Sequence, residues 1–127
     1  EGNWENDKRH GEGIFYFANG SKCAGNFVDD EQSGPGTAHY ANGGRYVGNW
    51  KNDNRHGQGT LDFANGDRYV GKWADNNQEG RGTCHYANGE RYEGNWKNNK
   101  REGEGTLYDR DGNILHSGKW VDDQQSL

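Results

Sequence analysis

Few residues of this sequence have the chemistry of a reactive site. Cys23 and Cys84 offer thiols for a disulfide or a nucleophile, and His10, His39, His56, His85 and His116 offer imidazoles for proton transfer or zinc. Ser21, Ser33, Ser117 and Ser126 are the candidate hydroxyl nucleophiles, yet none sits in the glycine-flanked elbow that exposes a catalytic serine. Paired glycines such as Gly57 and Gly59 have a phosphate-loop look, but no Gly-Lys-Ser/Thr follows and no helix pattern opens after them. Asp109-Arg110-Asp111-Gly112-Asn113 has the opening of a calcium loop without its closing Glu, which leaves a turn. Whether the thiols and imidazoles converge depends on the elements that carry them.

Composition limits what those elements can be. The chain has 127 residues, 22 of them glycine and one proline, with 28% hydrophobic and 13% aromatic. Leu, Ile, Val and Phe number only 14, a level that usually signals disorder. The 16 aromatic rings contradict that reading, since each can bury about 150–250 Å². Collagen is excluded because glycine does not recur every third residue. No run approaches the ~18 apolar residues of a membrane span. A net charge of −5 argues against nucleic acid, which needs clustered Lys and Arg, and less strongly against anionic membranes. The sequence opens on Glu1 and not on Met, so the lack of a signal peptide excludes no location.

One period organises the whole chain. Gly-x-Trp/Phe occurs at Gly2/Trp4, Gly25/Phe27, Gly48/Trp50, Gly71/Trp73, Gly94/Trp96 and Gly118/Trp120, with spacings of 23, 23, 23, 23 and 24 residues. Gly-x-Gly keeps step at Gly11/Gly13, Gly34/Gly36, Gly57/Gly59, Gly80/Gly82 and Gly103/Gly105. The turn dipeptides Asn19-Gly20, Asn42-Gly43, Asn65-Gly66, Asn88-Gly89 and Asp111-Gly112 are the third marker. The units are approximately 1–20, 21–43, 44–66, 67–89, 90–112 and a partial 113–127.

Each unit reads as two strands. Tyr46, Gly48 and Trp50 alternate with Arg45, Val47 and Asn49, and Gly57, Gly59, Leu61 and Phe63 alternate after the polar loop Lys51–His56. Asn65-Gly66 then supplies a tight turn into the next unit. A register that sets Trp50 opposite Gly57 places Gly48 beside Gly59, Tyr46 beside Leu61 and Arg45 beside Asp62. Gly57, Gly59, Gly80 and Gly82, with Gly48 and Gly71, then let indoles lie over the backbone. Helical periodicity is absent and glycine recurs too often for helix interiors. The expected fold is all-β: an elongated, twisted, single-layer antiparallel meander of tandem ~23-residue hairpins.

Tyr-x-Gly-x-Trp, a polar loop, Gly-x-Gly-x-x-x-aromatic and Asn-Gly together resemble the membrane occupation and recognition nexus (MORN) repeat. Arg45-Tyr46-Val47-Gly48-Asn49-Trp50 and Arg55-His56-Gly57-Gln58-Gly59-Thr60-Leu61 carry the likeness, which extends over essentially the whole chain. The resemblance implies elongated β-sheet scaffolds that bind proteins, some attached to lipid kinases or methyltransferases, and some credited with phospholipid binding. Departures are local: Cys23 and His116 replace the Tyr, Phe27 the Trp, and Asp109 the last ring of the second strand. Both ends read as cut from, or capping, a longer array, with exposed edges prone to association or homodimer formation.

The meander disperses the reactive groups. Cys23 and Cys84 fall five strands apart, about 24 Å at ~4.8 Å per strand, beyond the ~7 Å a disulfide spans. Equivalent histidines stand about 19 Å or more apart and cannot share a metal. No cofactor, metal site or catalysis is therefore expected. The aromatic columns remain. Trp4, Phe27, Trp50, Trp73, Trp96 and Trp120 are expected as core, while Tyr46, Tyr69 and Tyr92 with Tyr40, Phe63 and Tyr86 are candidates for a groove holding a helix or extended peptide. Phe17 shares the second column. The expected function is a non-enzymatic scaffold; the alternatives are a peripheral module for anionic phospholipid, disfavoured by the net charge, and the regulatory arm of a larger enzyme. The expected location is the cytoplasm, with cytoskeletal or membrane association reached through partners.

Overall fold

A computed structural model describes the backbone of residues 2–5 and 8–125 and the side chains of residues 9–124. Twelve strands follow in chain order: β1 (Gly2–Glu5), β2 (Lys8–Tyr16), β3 (Lys22–Val28), β4 (Glu31–His39), β5 (Arg45–Lys51), β6 (Asn54–Asp62), β7 (Arg68–Ala74), β8 (Asn77–His85), β9 (Arg91–Lys97), β10 (Lys100–Tyr108), β11 (Ile114–Val121) and β12 (Gln124–Gln125). They form one sheet whose spatial order is the chain order, and neighbouring strands pair antiparallel. The described residues therefore form an open meander of hairpins, in step with the period of 23.

The two turns of each unit differ from the sequence expectation. The polar loop contracts to two residues, because β6 already begins at Asn54. Asn52 and Asp53 both adopt positive φ, 50° and 67°, and the pair recurs at Asp29-Asp30, Asp75-Asn76, Asn98-Asn99 and Asp122-Asp123. Two positive φ values in a two-residue loop are the mark of a type I′ hairpin turn, and Asn and Asp bear that backbone best after glycine. At Asn65-Gly66 only the glycine turns positive, at 100°. There a five-residue loop is closed by Phe63 N–H to Asp67 O at 2.8 Å and Gly66 N–H to Phe63 O at 3.0 Å, while Asn65 Oδ1 accepts from Asp67 N–H at 2.9 Å.

Register holds at one end of each hairpin and shifts at the other. Tyr46 lies opposite Leu61, Gly48 opposite Gly59 and Arg45 opposite Asp62, as expected. Trp50, however, lies opposite Arg55 and not Gly57, with an irregularity between Gly48 and Trp50. Gly57 takes φ +81° and pairs with Trp73 of the next unit. The cause is the tight I′ turn, which leaves β6 with more residues than β5 across the same span. A bulge absorbs the excess, and glycine is the residue best suited to a positive φ there.

One face carries the core. Tyr46, Tyr69 and Tyr92 are 0% exposed, and Trp50, Trp73, Trp96 and Trp120 are buried with Leu61, Cys84 and Leu107. The tyrosines, not the tryptophans, explain most of the glycine: a Cβ on Gly59, Gly82 or Gly105 would run into the ring of Tyr46, Tyr69 or Tyr92 respectively. Each of these rings then wedges edge-on between two indoles. Tyr69 lies 5.1 Å from Trp73 and 5.3 Å from Trp96, and Tyr92 lies 5.2 Å from both Trp96 and Trp120. Pairs of this geometry add about 0.5–1.5 kcal/mol each beyond the area they bury. Every tyrosine hydroxyl in the column donates to a carbonyl three residues on, Tyr46 to Asn49, Tyr69 to Lys72 and Tyr92 to Asn95, each at 2.9 Å.

Candidate functional site

Burial divides the six candidate groove residues into two groups. Tyr46, Tyr69 and Tyr92 have no surface left for a partner, so they belong to the core and the groove reading loses them. The physical reason is the glycine pairs beneath them, which let the rings sink to the level of the backbone. Tyr40 and Tyr86 are half-buried and packed on the core, and Phe63 is 37% exposed. Together with Phe17 they stand just past the ends of β2, β4, β6 and β8, each as the first residue of a five-residue loop. Of the structural positions, Trp4 lies outside the described side chains; Phe27 is buried against Phe15 at 4.5 Å. Asp109, which ends this column, is no ring: its carboxylate accepts from the Asp111 and Asn113 N–H groups at 2.9 Å each. Those donors, Asn113 first, hold its pKa below the usual carboxylate range.

Arginine completes this face. Arg55 sits 4.6 Å from the Trp73 ring centroid and 6.0 Å from that of Tyr40. Arg101 repeats the arrangement at 4.5 Å from Trp120 and 5.9 Å from Tyr86, and Arg9 stands 5.0 Å from Phe27 and 5.3 Å from Phe17. Guanidinium over an aromatic face is attractive by about 0.5–1 kcal/mol at exposed sites and more when desolvated. Sequence reasoning missed these residues, although the signal was available: Arg9, Arg55 and Arg101 recur at 46 residues, two units, and Gln32 and Gln78 occupy the same position between them. The glutamines are buried where the arginines are half-buried. Neighbouring units thus differ in kind, and the face repeats every second unit.

Turn residues stitch successive units together. Asp30, Asp53, Asn76, Asn99 and Asp123 each send a backbone N–H to the carbonyl of Arg9, Gln32, Arg55, Gln78 and Arg101 in the unit before. Their side chains accept from the N–H groups of the same residues, at 3.1, 2.6, 2.8, 2.7 and 2.6 Å. Ion pairs reinforce the first and last of these, Arg9 to Asp30 at 2.6 Å and Arg101 to Asp123 at 3.2 Å.

The remaining candidates stay apart. Cys23 on β3 and Cys84 on β8 are free thiols five strands from each other. Burial pushes both up, Cys84 to about 12. His39 and His85 are exposed on the opposite face, while His10 and His56 lie on β2 and β6 and not in loops. His116 fills the place of a tyrosine, edge-on to Trp120 at 5.1 Å. Among the described residues no group of three or more His, Cys, Asp or Glu could hold a metal ion. Among these same residues no helix is long and apolar enough to cross a membrane, which says nothing of strands.

A single open sheet of tandem hairpins, cored by rings on one face and stitched unit to unit, defines a β-hairpin repeat array. The model of the MORN repeat matches five consecutive stretches, residues 1–22, 23–45, 46–68, 69–91 and 92–114. The chain belongs to the MORN-repeat family. Among curated proteins, none matches it.

Proposed function

We propose that the chain is a non-catalytic binding strip that holds a segment of another polypeptide along the ring-bearing face. The observation that carries this reading is the row of Phe17, Tyr40, Phe63 and Tyr86, partly exposed side by side, with Arg9, Arg55 and Arg101 beside it. Aromatic and arginine side chains are the two types most enriched where polypeptides bind. Rings held against a rigid sheet lose little entropy on binding, which favours a partner that orders itself on them. Family membership supports the same conclusion, as repeat arrays present one extended surface built from many small units.

The test has two steps. A photo-crosslinking residue at position 63 identifies the bound segment, and titration of that segment measures its affinity for wild type and for Tyr40→Ala/Phe63→Ala/Tyr86→Ala. At least a tenfold loss is expected, with no loss in Val47→Ser/Val70→Ser on the opposite face. Unchanged affinity in the folded triple variant removes the groove.

A further inference from the structure

The row of exposed rings is a ladder with a space between each pair of rungs. A cavity of about 350 Å³ is bordered by Phe17 and Tyr40, with Cys23 and Trp50 in its wall. The next, of about 290 Å³, is bordered by Tyr40 and Phe63, with Leu61 in its wall. A third, of about 220 Å³, is bordered by Phe63 and Tyr86, with Cys84 and Trp96. Each has room for a side chain, and each has an arginine on it: Arg9 and Arg55, then Arg55, then Arg101.

The spacing of the rungs selects the conformation that fits. Rings recur once per unit, two strands apart, so each step is about 9.6 Å along a sheet of ~4.8 Å spacing. Loops of successive units touch at this margin, Ala41 N–H donating to Ser21 Oγ at 3.2 Å and Ala87 N–H to Asp67 Oδ1 at 2.8 Å, which keeps the step short despite the twist of the sheet. A bound chain must turn a side chain to the same side at every step. Polyproline II does so every third residue, at about 9.3 Å per turn. A β-strand covers about 10 Å in three residues but points the third side chain to the other face. Two turns of α-helix cover about 10.8 Å, so between Phe17 and Tyr86 a helix falls about 3.6 Å out of step and polyproline II about 0.9 Å. Polyproline II also has no internal hydrogen bonds, which leaves its carbonyls free to accept from the hydroxyls of Tyr40 and Tyr86.

Charge gives a second, independent indication. Arg9 and Arg101 are paired with the carboxylates of Asp30 and Asp123. At the equivalent place Arg55 is held by the neutral Asn76. The carboxylates that border its two cavities are engaged elsewhere, Asp53 by Gln32 N–H at 2.6 Å and Asp62 by Arg68 at 2.6 Å. The middle of the row thus presents a guanidinium without a countercharge, which complements an acidic side chain.

Resting on the binding-strip reading, we propose that the partner is a proline-rich segment in polyproline II conformation. It seats one residue of every three in the successive spaces between Phe17, Tyr40, Phe63 and Tyr86, and sets an acidic residue against Arg55.

Fluorescence anisotropy with labelled peptides tests the proposal. The probes are Pro-Pro-Ala-Pro-Pro-Glu-Pro-Pro-Ala-Pro-Pro-Ala, the same peptide with Gln in place of Glu, and a helical peptide of alanine and glutamine with one Glu and Leu at every seventh residue. Expected are saturable binding of the Glu-containing proline peptide, at least tenfold tighter than the helical one, and at least a tenfold loss in Tyr40→Ala/Phe63→Ala/Tyr86→Ala. Should the triple variant fail to fold, Phe63→Ala alone should weaken the peptide at least threefold. Replacing Glu by Gln should cost at least threefold with wild type and less than 1.5-fold with Asn76→Asp, which gives Arg55 the carboxylate that Arg9 and Arg101 have. No saturable binding of the proline peptides, or equal binding of the helical one, overturns the proline-rich occupant; equal binding of the Glu and Gln peptides by wild type overturns the acidic contact. If the segment crosslinked at position 63 loses affinity in the triple variant while neither proline peptide binds, the strip stands and its proline-rich occupant falls.

Discussion

Arg55 and Asn76, in consecutive units, hold each other by four hydrogen bonds. Arg55 N–H and Nε donate to Asn76 Oδ1 at 2.8 and 3.3 Å, Arg55 Nη2 donates to Asn76 O at 3.1 Å, and Asn76 N–H returns to Arg55 O at 3.0 Å. One residue thus fixes a type I′ turn, caps a strand end and orients the guanidinium that lies over Trp73. Glycine at this position would keep the backbone and lose the side-chain bonds, whereas alanine would lose both. Asn76→Gly is expected to cost about 1–2 kcal/mol, and Asn76→Ala about 1 kcal/mol more because φ is +72°. Urea denaturation of the two variants checks the order.

Tyr46 and Gly59 form a second coupled pair. Gly59→Ala places a methyl in the Tyr46 ring and should cost about 1–3 kcal/mol or more. Tyr46→Ala alone should cost about 3–5 kcal/mol through the cavity left behind. The double variant should fall well short of the sum, since removal of the ring frees the space the methyl needs. An additive double-mutant cycle by denaturation would show that Gly59 is required for its backbone alone.

The two thiols should differ in reactivity. Cys84 is buried and its pKa is pushed up to about 12, first by desolvation and then by Asp67, while Cys23 borders an open cavity and is raised chiefly by burial. Thiolate is the reactive form. Titration with a thiol reagent at pH 8 should label Cys23 first, with Cys84 following only as the fold opens. Equal rates for both would contradict the burial.

High pH should unfold the sheet. Burial of the ring pushes the hydroxyls of Tyr46 and Tyr92 up to about 12, and that of Tyr69 is raised as well. The folded chain therefore holds these protons more tightly than the unfolded chain, whose tyrosines ionise near about 10. The stability they contribute is intact below about pH 10 and is lost as pH rises toward 12. Melting temperature should fall across that window, with phenolate absorbance rising together with loss of the β signal in circular dichroism. Phenolate formation at pH 10 in a fully folded sheet would contradict it.

The repeat, its hairpins and the pairs Tyr46–Leu61, Gly48–Gly59 and Arg45–Asp62 were legible in the sequence because a period of 23 and an alternation of two are strong patterns. The partner of Trp50 was not: the sequence set it opposite Gly57, and it lies opposite Arg55. That register depends on how many residues the turn consumes, and Asn52-Asp53 as a I′ pair carries a weaker local signal than Asn-Gly. The depth of Tyr46 and Tyr69 was equally hidden, since a glycine pair looks the same beneath an indole or a phenol. The open space at Cys23 follows only from knowing that the tyrosine column is the buried one.

Arginine in one unit and glutamine in the next give the array a parity. Shifting a partner by one unit would set it against the other kind of side chain, whereas a shift of two restores the match, about 19 Å along a sheet of ~4.8 Å spacing. Insertion or loss of a single hairpin would also bring two like units together, while the stitch itself, made by Asp or Asn to Arg and Gln alike, would still close. The counting unit of this surface, for growth and for recognition alike, is the pair of hairpins.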